Sequence, residues 1–368
     1  MKNFAKVITI LLLSVLTTTA CASKDPDQGP VLDPDPVYDI YMSINGRLGL
    51  VQVTQIQKNN VETSPVQMWS KEGKGNLDTV ALTSGNKIYG SLYDKVGGAS
   101  DRRLVVYKEG KKLKEISLDK KGPQLIIPDT VHNKAYVLLM FGRGNGIVDG
   151  GLPVKVFDTN EDKEIGEIGI KGALDKYTLT DQSIYAAVVK ARDLGFTDVP
   201  DNYILQIDRT SGVQKILTSF DYAPKGMATD GSYIYIVNMP LYAENFKEST
   251  LSIYDLKGKL VKDVSVDPGV RDIVLDEKGY AYIAHSDKDA YDDRAGDHIT
   301  VYDTKQRKIM GKIDTLAPTE LAIVDHYLFA INNWGISLSM FDLSTRKLIK
   351  TIPFDEGSFV SSLQIIKR

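Results

Sequence analysis

The sequence is poor in the side chains that disulfide and metal chemistry require. Its 368 residues include one cysteine, Cys21, and only four histidines. A single cysteine cannot form an intrachain disulfide, and paired cysteines for a structural zinc site are missing. The chain also lacks the H-E-x-x-H motif of zinc hydrolases and the order of serine, histidine and aspartate that a hydrolytic triad needs. These absences disfavour redox and classical hydrolytic chemistry.

An excess of positive charge and a helical pattern are missing as well. The formal net charge is −3 at pH 7, and the isoelectric point is about 5.9. Domains that bind nucleic acid usually carry a strongly basic surface, so we expect no nucleic-acid partner. Beyond the N-terminal segment, no stretch of about eleven residues places apolar side chains at the spacing of an amphipathic helix. The sequence therefore predicts a nearly all-β protein.

Residues 1–21 have the pattern of an export signal. Lys2 and Lys6 precede an apolar core at 7–16, which is too short to span a bilayer because a spanning helix needs about 20 residues. The segment 18–21 resembles the lipobox of bacterial lipoproteins, and this resemblance implies that Cys21 carries a lipid. The alternative is ordinary cleavage at Ala20-Cys21-Ala22, which would give a secreted protein without an anchor.

Residues 22–36 are rich in proline and aspartate and have no apolar period. Such a linker extends by about 3 Å per residue, so we expect a tether of roughly 40 Å between the lipid and a single folded domain at 37–368. The sequence thus predicts a protein that is exported and lipid-anchored to the bacterial membrane, facing outward.

One hairpin pattern, HITVYDTKQRKIMGKI at 298–313, recurs along the chain about every fifty residues. Related segments end at Gln57, Lys108, Asp158, Asp208, Asp255, Asp303 and Asp342. Repeats of this length indicate units that bury one another. Seven units, each with room for four short strands, predict a seven-bladed β-propeller of four-stranded antiparallel blades.

The first repeat lacks an innermost strand. We assign its other three strands to 38–44, 48–57 and 66–70. The C-terminal segment 359–366, FVSSLQII, reads as an innermost strand with no partner after it. We therefore predict that the C-terminal strand joins the N-terminal blade and closes the ring, which removes exposed sheet edges.

Several of these segments resemble one family of repeat proteins. The hairpin from Val301-Tyr302-Asp303-Thr304 to Ile313, the segment at 224–228 and the Asp230-Gly231 corner are similar to those of secreted bacterial seven-bladed propellers of the YVTN type. The resemblance covers roughly 37–368 and implies the fold. The motifs are structural, so it implies no particular activity.

The connectivity of such a ring separates two faces. Turns between the first and second strands and between the third and fourth share one face and are short, and the repeated Asp158, Asp208, Asp255, Asp303 and Asp342 should bond their own turns there. Long connections gather on the other face, where loops usually carry function. Ligand-binding candidates on that face are Arg143, Arg192, Lys225, Arg271, Tyr242 and Trp334.

The charged candidates have competing interpretations. Lys121, Lys171, Lys225 and Arg271 precede or begin successive innermost strands and could form a basic half-ring around the channel, or they could simply be solvated. The loop 286–298 is acidic, and weak metal-ligand candidates there are His285, Asp287, Asp289, Asp292, Asp293 and His298. This loop could bind Ca²⁺ or a transition metal, but its spacing fits no EF-hand, and a solvated acidic loop is the favoured interpretation. No other cofactor is indicated.

The function predicted from these features is a binding or scaffold module. We expect a monomer that contacts the membrane through its lipid and a cell-envelope protein or glycan through its long-loop face. The alternative is a propeller enzyme, a hydrolase, lactonase or lyase that acts on a small anionic substrate over the central channel. The fold cannot separate these hypotheses because propellers host many activities.

Overall fold

The computed structural model of this protein describes most of the predicted domain. The described residues are 38–57, 60–69, 76–93, 103–118, 122–140, 152–189, 199–220, 223–239, 249–286, 297–332, 335–355 and 358–368. The predicted signal peptide, Cys21 and the tether lie outside these ranges.

The described strands form seven antiparallel sheets, which are the blades of the propeller. Blade 1 contains β1 (Tyr38–Ile44), β2 (Arg47–Gln57), β3 (Asn60–Thr63), β4 (Gln67–Met68) and, from the C-terminus, β29 (Val360–Lys367). Blade 2 contains β5 (Asn76–Thr83), β6 (Lys87–Tyr93), β7 (Arg103–Lys108) and β8 (Lys111–Ser117). Blade 3 contains β9 (Gly122–Asp129), β10 (Lys134–Met140), β11 (Leu152–Asp158) and β12 (Lys163–Ile170).

The remaining blades repeat this order. Blade 4 contains β13 (Ala173–Leu179), β14 (Ser183–Val189), β15 (Asn202–Asp208) and β16 (Gln214–Ser219). Blade 5 contains β17 (Ala223–Thr229), β18 (Tyr233–Met239), β19 (Ser249–Asp255) and β20 (Leu260–Val266). Blade 6 contains β21 (Val270–Leu275), β22 (Tyr280–His285), β23 (His298–Asp303) and β24 (Lys308–Asp314). Blade 7 contains β25 (Pro318–Val324), β26 (Tyr327–Asn332), β27 (Ser337–Asp342) and β28 (Lys347–Pro353).

The predicted all-β fold and its closure are confirmed. Strand β29 pairs antiparallel with β1, in a register that runs from Tyr38 opposite Lys367 to Ile44 opposite Val360. The C-terminus thus supplies the innermost strand of blade 1, and the other six blades each have the predicted four strands. The one helix among the described residues is a short 3₁₀ turn at Ser84–Asn86. No helix in these ranges is long and apolar enough to cross a membrane.

The outermost strand of blade 1 differs from the prediction of a single strand at 66–70. It is split into β3 and β4, which pair with different parts of β2. Pro65 lies in the interruption and has no N–H to donate to the sheet. The hydroxyl of Ser64 accepts a hydrogen bond from the backbone N–H of Gln52 at 3.0 Å, so the ladder continues through a side chain at this point.

Apolar side chains from neighbouring blades pack together and form the core. Between blades 7 and 1, for example, Phe329 and Leu338 are fully buried in one cluster with Ile40 and Leu363. Strands of alternating pattern bury one face against each neighbouring blade, and the equivalent clusters recur around the ring. Burial therefore depends on contacts between blades as well as within them.

The short-turn face is held by hydrogen bonds that remain within the turns. Each of the five repeated aspartates accepts at least one backbone N–H two to four residues further along the chain, as predicted; these residues are Asp158, Asp208, Asp255, Asp303 and Asp342. Tyrosines of second strands add bonds to carboxylates of the same face, such as Tyr89 to Asp162 at 2.6 Å. The turns of this face are therefore stabilised by their own hydrogen bonds.

Candidate functional site

Each innermost strand contains an irregularity near the long-loop face. The pairing with the second strand shifts by one residue at an equivalent point in all seven blades. In six blades the extra residue is unambiguous, and all six are polar or charged: Gln124, Asp175, Lys225, Arg271, Thr319 and Ser362. β-Bulges re-aim side chains and are common beside functional sites. The channel mouth on this face is therefore lined by polar groups.

Two carboxylates near the bulges connect neighbouring blades. Asp272 of β21 accepts a hydrogen bond from the backbone N–H of Leu321 in blade 7 at 2.9 Å. Glu320 of β25 accepts hydrogen bonds from the backbone N–H groups of Ser362 and Leu363 at 2.9 and 2.6 Å. The two side chains thus satisfy backbone donors that the bulges leave without a partner in their own sheet.

The surroundings of these carboxylates make their charged forms costly. Burial raises the pKa of Asp272 to about 6, although the nearby Lys176 and the backbone donors oppose this rise, and the charge of Glu320 adds to it. Burial also raises the pKa of Glu320 against the hydrogen bonds of β29 and the charge of Lys176. Lys176 is therefore the cation that offsets this acidic pair.

Three cations lie near one another on blades 4 to 6. Lys225 and Arg271 are the extra residues of equivalent bulges in consecutive blades, and Lys176 directly follows the bulge of blade 4. Burial lowers the pKa of Lys225; Asp175 opposes this shift, whereas the charges of Arg271 and Lys176 add to it. Like charges held together in a partly desolvated place are typical of ligand sites.

The two predicted histidines form a second polar cluster at the end of blade 6. His285 and His298 face each other across β22 and β23, and their rings stack with centroids 4.4 Å apart. The Nδ1 of His285 lies 3.1 Å from the Pro268 carbonyl, and its Nε2 lies 3.0 Å from the Thr300 hydroxyl. Because the carbonyl can only accept, Nδ1 carries the proton and Thr300 donates to Nε2.

His285 is neutral in this arrangement. Burial lowers its pKa to about 3, and the charge of His298 adds to this effect. His298 has its Nε2 at 2.9 Å from a carboxylate oxygen of Asp267, which also contacts Lys312. Burial opposes ionisation of Asp267, but the hydrogen bond and charge of Lys312 outweigh it and keep the Asp267 pKa below its usual value.

A cavity of about 330 Å³ adjoins this cluster and is lined by Asp267, Pro268, Thr300, Ile309 and Lys312, among others. Metal binding here remains a prediction. Asp287, Asp289, Asp292 and Asp293 lie outside the described residues, and within the described ranges no three histidine, aspartate or glutamate side chains cluster to hold an ion. Both ring nitrogens of His285 are already engaged, so ligation by this residue would require the loss of a hydrogen bond.

The other predicted site residues have different positions. Arg143, Arg192, Tyr242, Trp334 and Lys121 lie outside the described residues. Lys171 lines a groove of about 500 Å³ with Tyr203 and Gln214, between blades 3 and 4. The two predicted binding residues that the structure describes, Lys225 and Arg271, lie near each other.

Sequence reasoning missed Lys176, Asp272, Glu320 and Asp267. Lys176, Asp272 and Glu320 could have been found from the sequence, because each is a charged residue two or three positions inside an innermost strand. Alternation predicts an apolar side chain at such a position.

Comparison with known proteins supports the architecture. No family model matches the sequence, and no curated protein matches it. The chain is similar to a chain of a nidogen/laminin complex, with 9% identity, a TM-score of 0.50 and coverage of 89% of this chain and 98% of that one.

Two further solved structures share the fold. A chain of a mitotic checkpoint complex is 12% identical with a TM-score of 0.56, over 76% of this chain and 80% of that chain. The Cps50 (Swd1) β-propeller domain of Myceliophteria thermophila is 12% identical with a TM-score of 0.54, over 77% and 87%. At such low identity these similarities show the β-propeller fold and nothing about activity.

Proposed function

We propose that this protein is a binding module of the bacterial cell envelope. Its propeller, of the YVTN type by its hairpin sequences, is anchored through a lipid on Cys21 and binds an envelope protein or glycan with the long-loop face. The support for export and anchoring is the sequence of residues 1–21, with its charged start, short apolar core and single cysteine.

We choose the long-loop face as the binding face because the two faces of the ring are built differently. The short-turn face consists of turns that bond themselves through aspartate side chains. On the opposite face, the connections between the second and third strands of blades 2 to 6 comprise nine to twelve residues each, more than an antiparallel connection requires. The polar bulge residues lie in the innermost strands near the same face.

A comparison of matched variants tests the proposal. Replacing residues 287–296 by a short Gly-Ser linker changes the long-loop face, and the double substitution of Glu277 and Lys278 by alanine changes an exposed turn on the other face. We expect the linker variant to lose capture of a specific envelope protein or glycan that the wild type and the turn variant both retain. Equal capture by all three proteins would contradict the proposal.

The anchor is tested separately. The Cys21→Ser variant should move from the membrane fraction to the soluble exported fraction, whereas Ser23→Ala should stay with the membrane. If C21S fractionates with membranes as the wild type does, the lipid anchor is wrong, and the choice of binding face is unaffected.

A further inference from the structure

Two lysines at the channel mouth make no close polar contact with the described residues. In the described ranges, the ammonium groups of Lys176 and Lys225 have neither a hydrogen-bond acceptor nor an ion-pair partner within 4 Å. Lys176 is influenced by Asp272 and Glu320, whose carboxylates already accept backbone N–H groups. Among the described residues, Asp175 is the one opposing charge that acts on Lys225. A partly buried lysine without a close partner is costly.

The backbone places the Lys225 and Arg271 side chains on the same part of the channel. Both residues occupy the bulge of an innermost strand, one blade apart. The two strands touch beside these residues, since a Cβ at Gly226 would lie 2.7 Å from the backbone nitrogen of Ile273. Any larger residue at 226 would push the strands apart, so glycine allows the cations to approach one another.

The chemistry of the cations selects a ligand class. The Arg271 Nε donates a hydrogen bond to the Ser286 hydroxyl at 3.0 Å, which holds the plane of the guanidinium. A guanidinium binds a carboxylate through two parallel hydrogen bonds, and an ammonium group adds a point charge. We propose that the channel mouth of blades 4 to 6 binds a small organic carboxylate, held by Arg271 and Lys225 with Lys176 nearby.

This inference goes beyond the proposed function, because a small molecule at the channel mouth requires no macromolecular partner on the loops. A ligand carboxylate there would supply the negative charge that Lys225 lacks. The charged residues would then have two different roles. Asp272 and Glu320 connect neighbouring blades, whereas Lys225 and Arg271 bind the ligand.

Isothermal titration calorimetry of the purified protein with succinate tests the proposal. 1,4-Butanediol, which has the same carbon skeleton without the charges, is the ligand control. We expect saturable binding of succinate with a dissociation constant below about 1 mM, and none of butanediol. Lys225→Met and Arg271→Met should each weaken binding about tenfold or more, whereas Lys278→Met, which removes a lysine from the short-turn face, should have no effect.

Two further variants separate a ligand contact from a structural role. Asp175→Asn removes the negative charge that opposes Lys225 and should tighten succinate binding, and Arg271→Lys should weaken it less than Arg271→Met does. Thermal unfolding of each variant shows whether it folds. The proposal is overturned if succinate does not bind saturably, if K225M and K278M bind it equally, or if inorganic phosphate binds in its place.

Discussion

Closure of the ring by β29 makes the stability of the whole domain depend on the last few residues. Leu363 is only 4% exposed and packs in the cluster that joins blades 7 and 1. Phe359, four residues earlier in the same segment, is 56% exposed. Truncating a buried leucine to alanine typically costs about 2–5 kcal/mol, whereas an exposed substitution stays within about 0.5 kcal/mol.

We therefore expect Leu363→Ala to lower the free energy of unfolding by about 2–5 kcal/mol and Phe359→Ala to leave it nearly unchanged. Urea denaturation followed by far-ultraviolet circular dichroism measures both. A single cooperative transition in L363A, shifted to lower urea, would show that the closing strand stabilises all seven blades together. Equal stabilities of L363A and F359A would refute the closure as the source of stability.

Removing the segment 357–368 extends the same reasoning. The deletion takes away three buried apolar side chains of β29, namely Val360, Leu363 and Ile366, each worth about 1.5–3 kcal/mol. It also leaves Glu320 without its two backbone donors. Because domains are stable by only about 5–15 kcal/mol, we expect the truncated protein to lose cooperative unfolding, and a melting curve like that of the full chain would contradict this.

Two other predictions concern buried charges. Asp129 is fully buried with Arg209, whose Nε donates to it at 2.9 Å, so Asp129→Ala should cost about 3–5 kcal/mol in urea denaturation. The control Asp158→Ala, at a half-buried residue that starts a turn, should cost about 1 kcal/mol, and similar losses for the two variants would contradict the role of the buried pair. His285 has a pKa of about 3 when folded and about 6.5 when unfolded, so the unfolded state binds the extra proton as the pH falls between these values. At pH 5 this penalty is about 2 kcal/mol, and His285→Gln should lose that part of the pH dependence between pH 7 and 5; an unchanged dependence would show that His285 is not its source.

Much of the fold could be predicted because its signals are local and repeated. The Asp303 corner recurs in blade after blade, and an aspartate that bonds its own turn needs no distant contact to do so. The closing strand was predictable for a related reason: FVSSLQII at 359–366 has the apolar pattern of an innermost strand and no partner after it. Only the outer strand of blade 1 differed, because Pro65 interrupts it.

The candidate site was less predictable because the positions of its side chains depend on the ring as a whole. The bulge at Lys225 is a shift in register between two strands, and local alternation does not reveal which residue will be displaced. The sequence does not reveal which groups Asp272 and Glu320 contact. Their roles follow from backbone donors of the next blade, which only the closed ring brings within reach.

Partners should bind on the long-loop face of the ring and leave the short-turn face untouched. Lysine acetylation followed by mass spectrometry, with and without the captured envelope partner, distinguishes the two faces. Lys171 and Lys225 lie on the long-loop side, and Lys257, Lys278 and Lys305 are exposed in turns of the other face. We expect the partner to slow acetylation of Lys171 and Lys225 only. Protection confined to the three turn lysines would show that the partner binds the short-turn face.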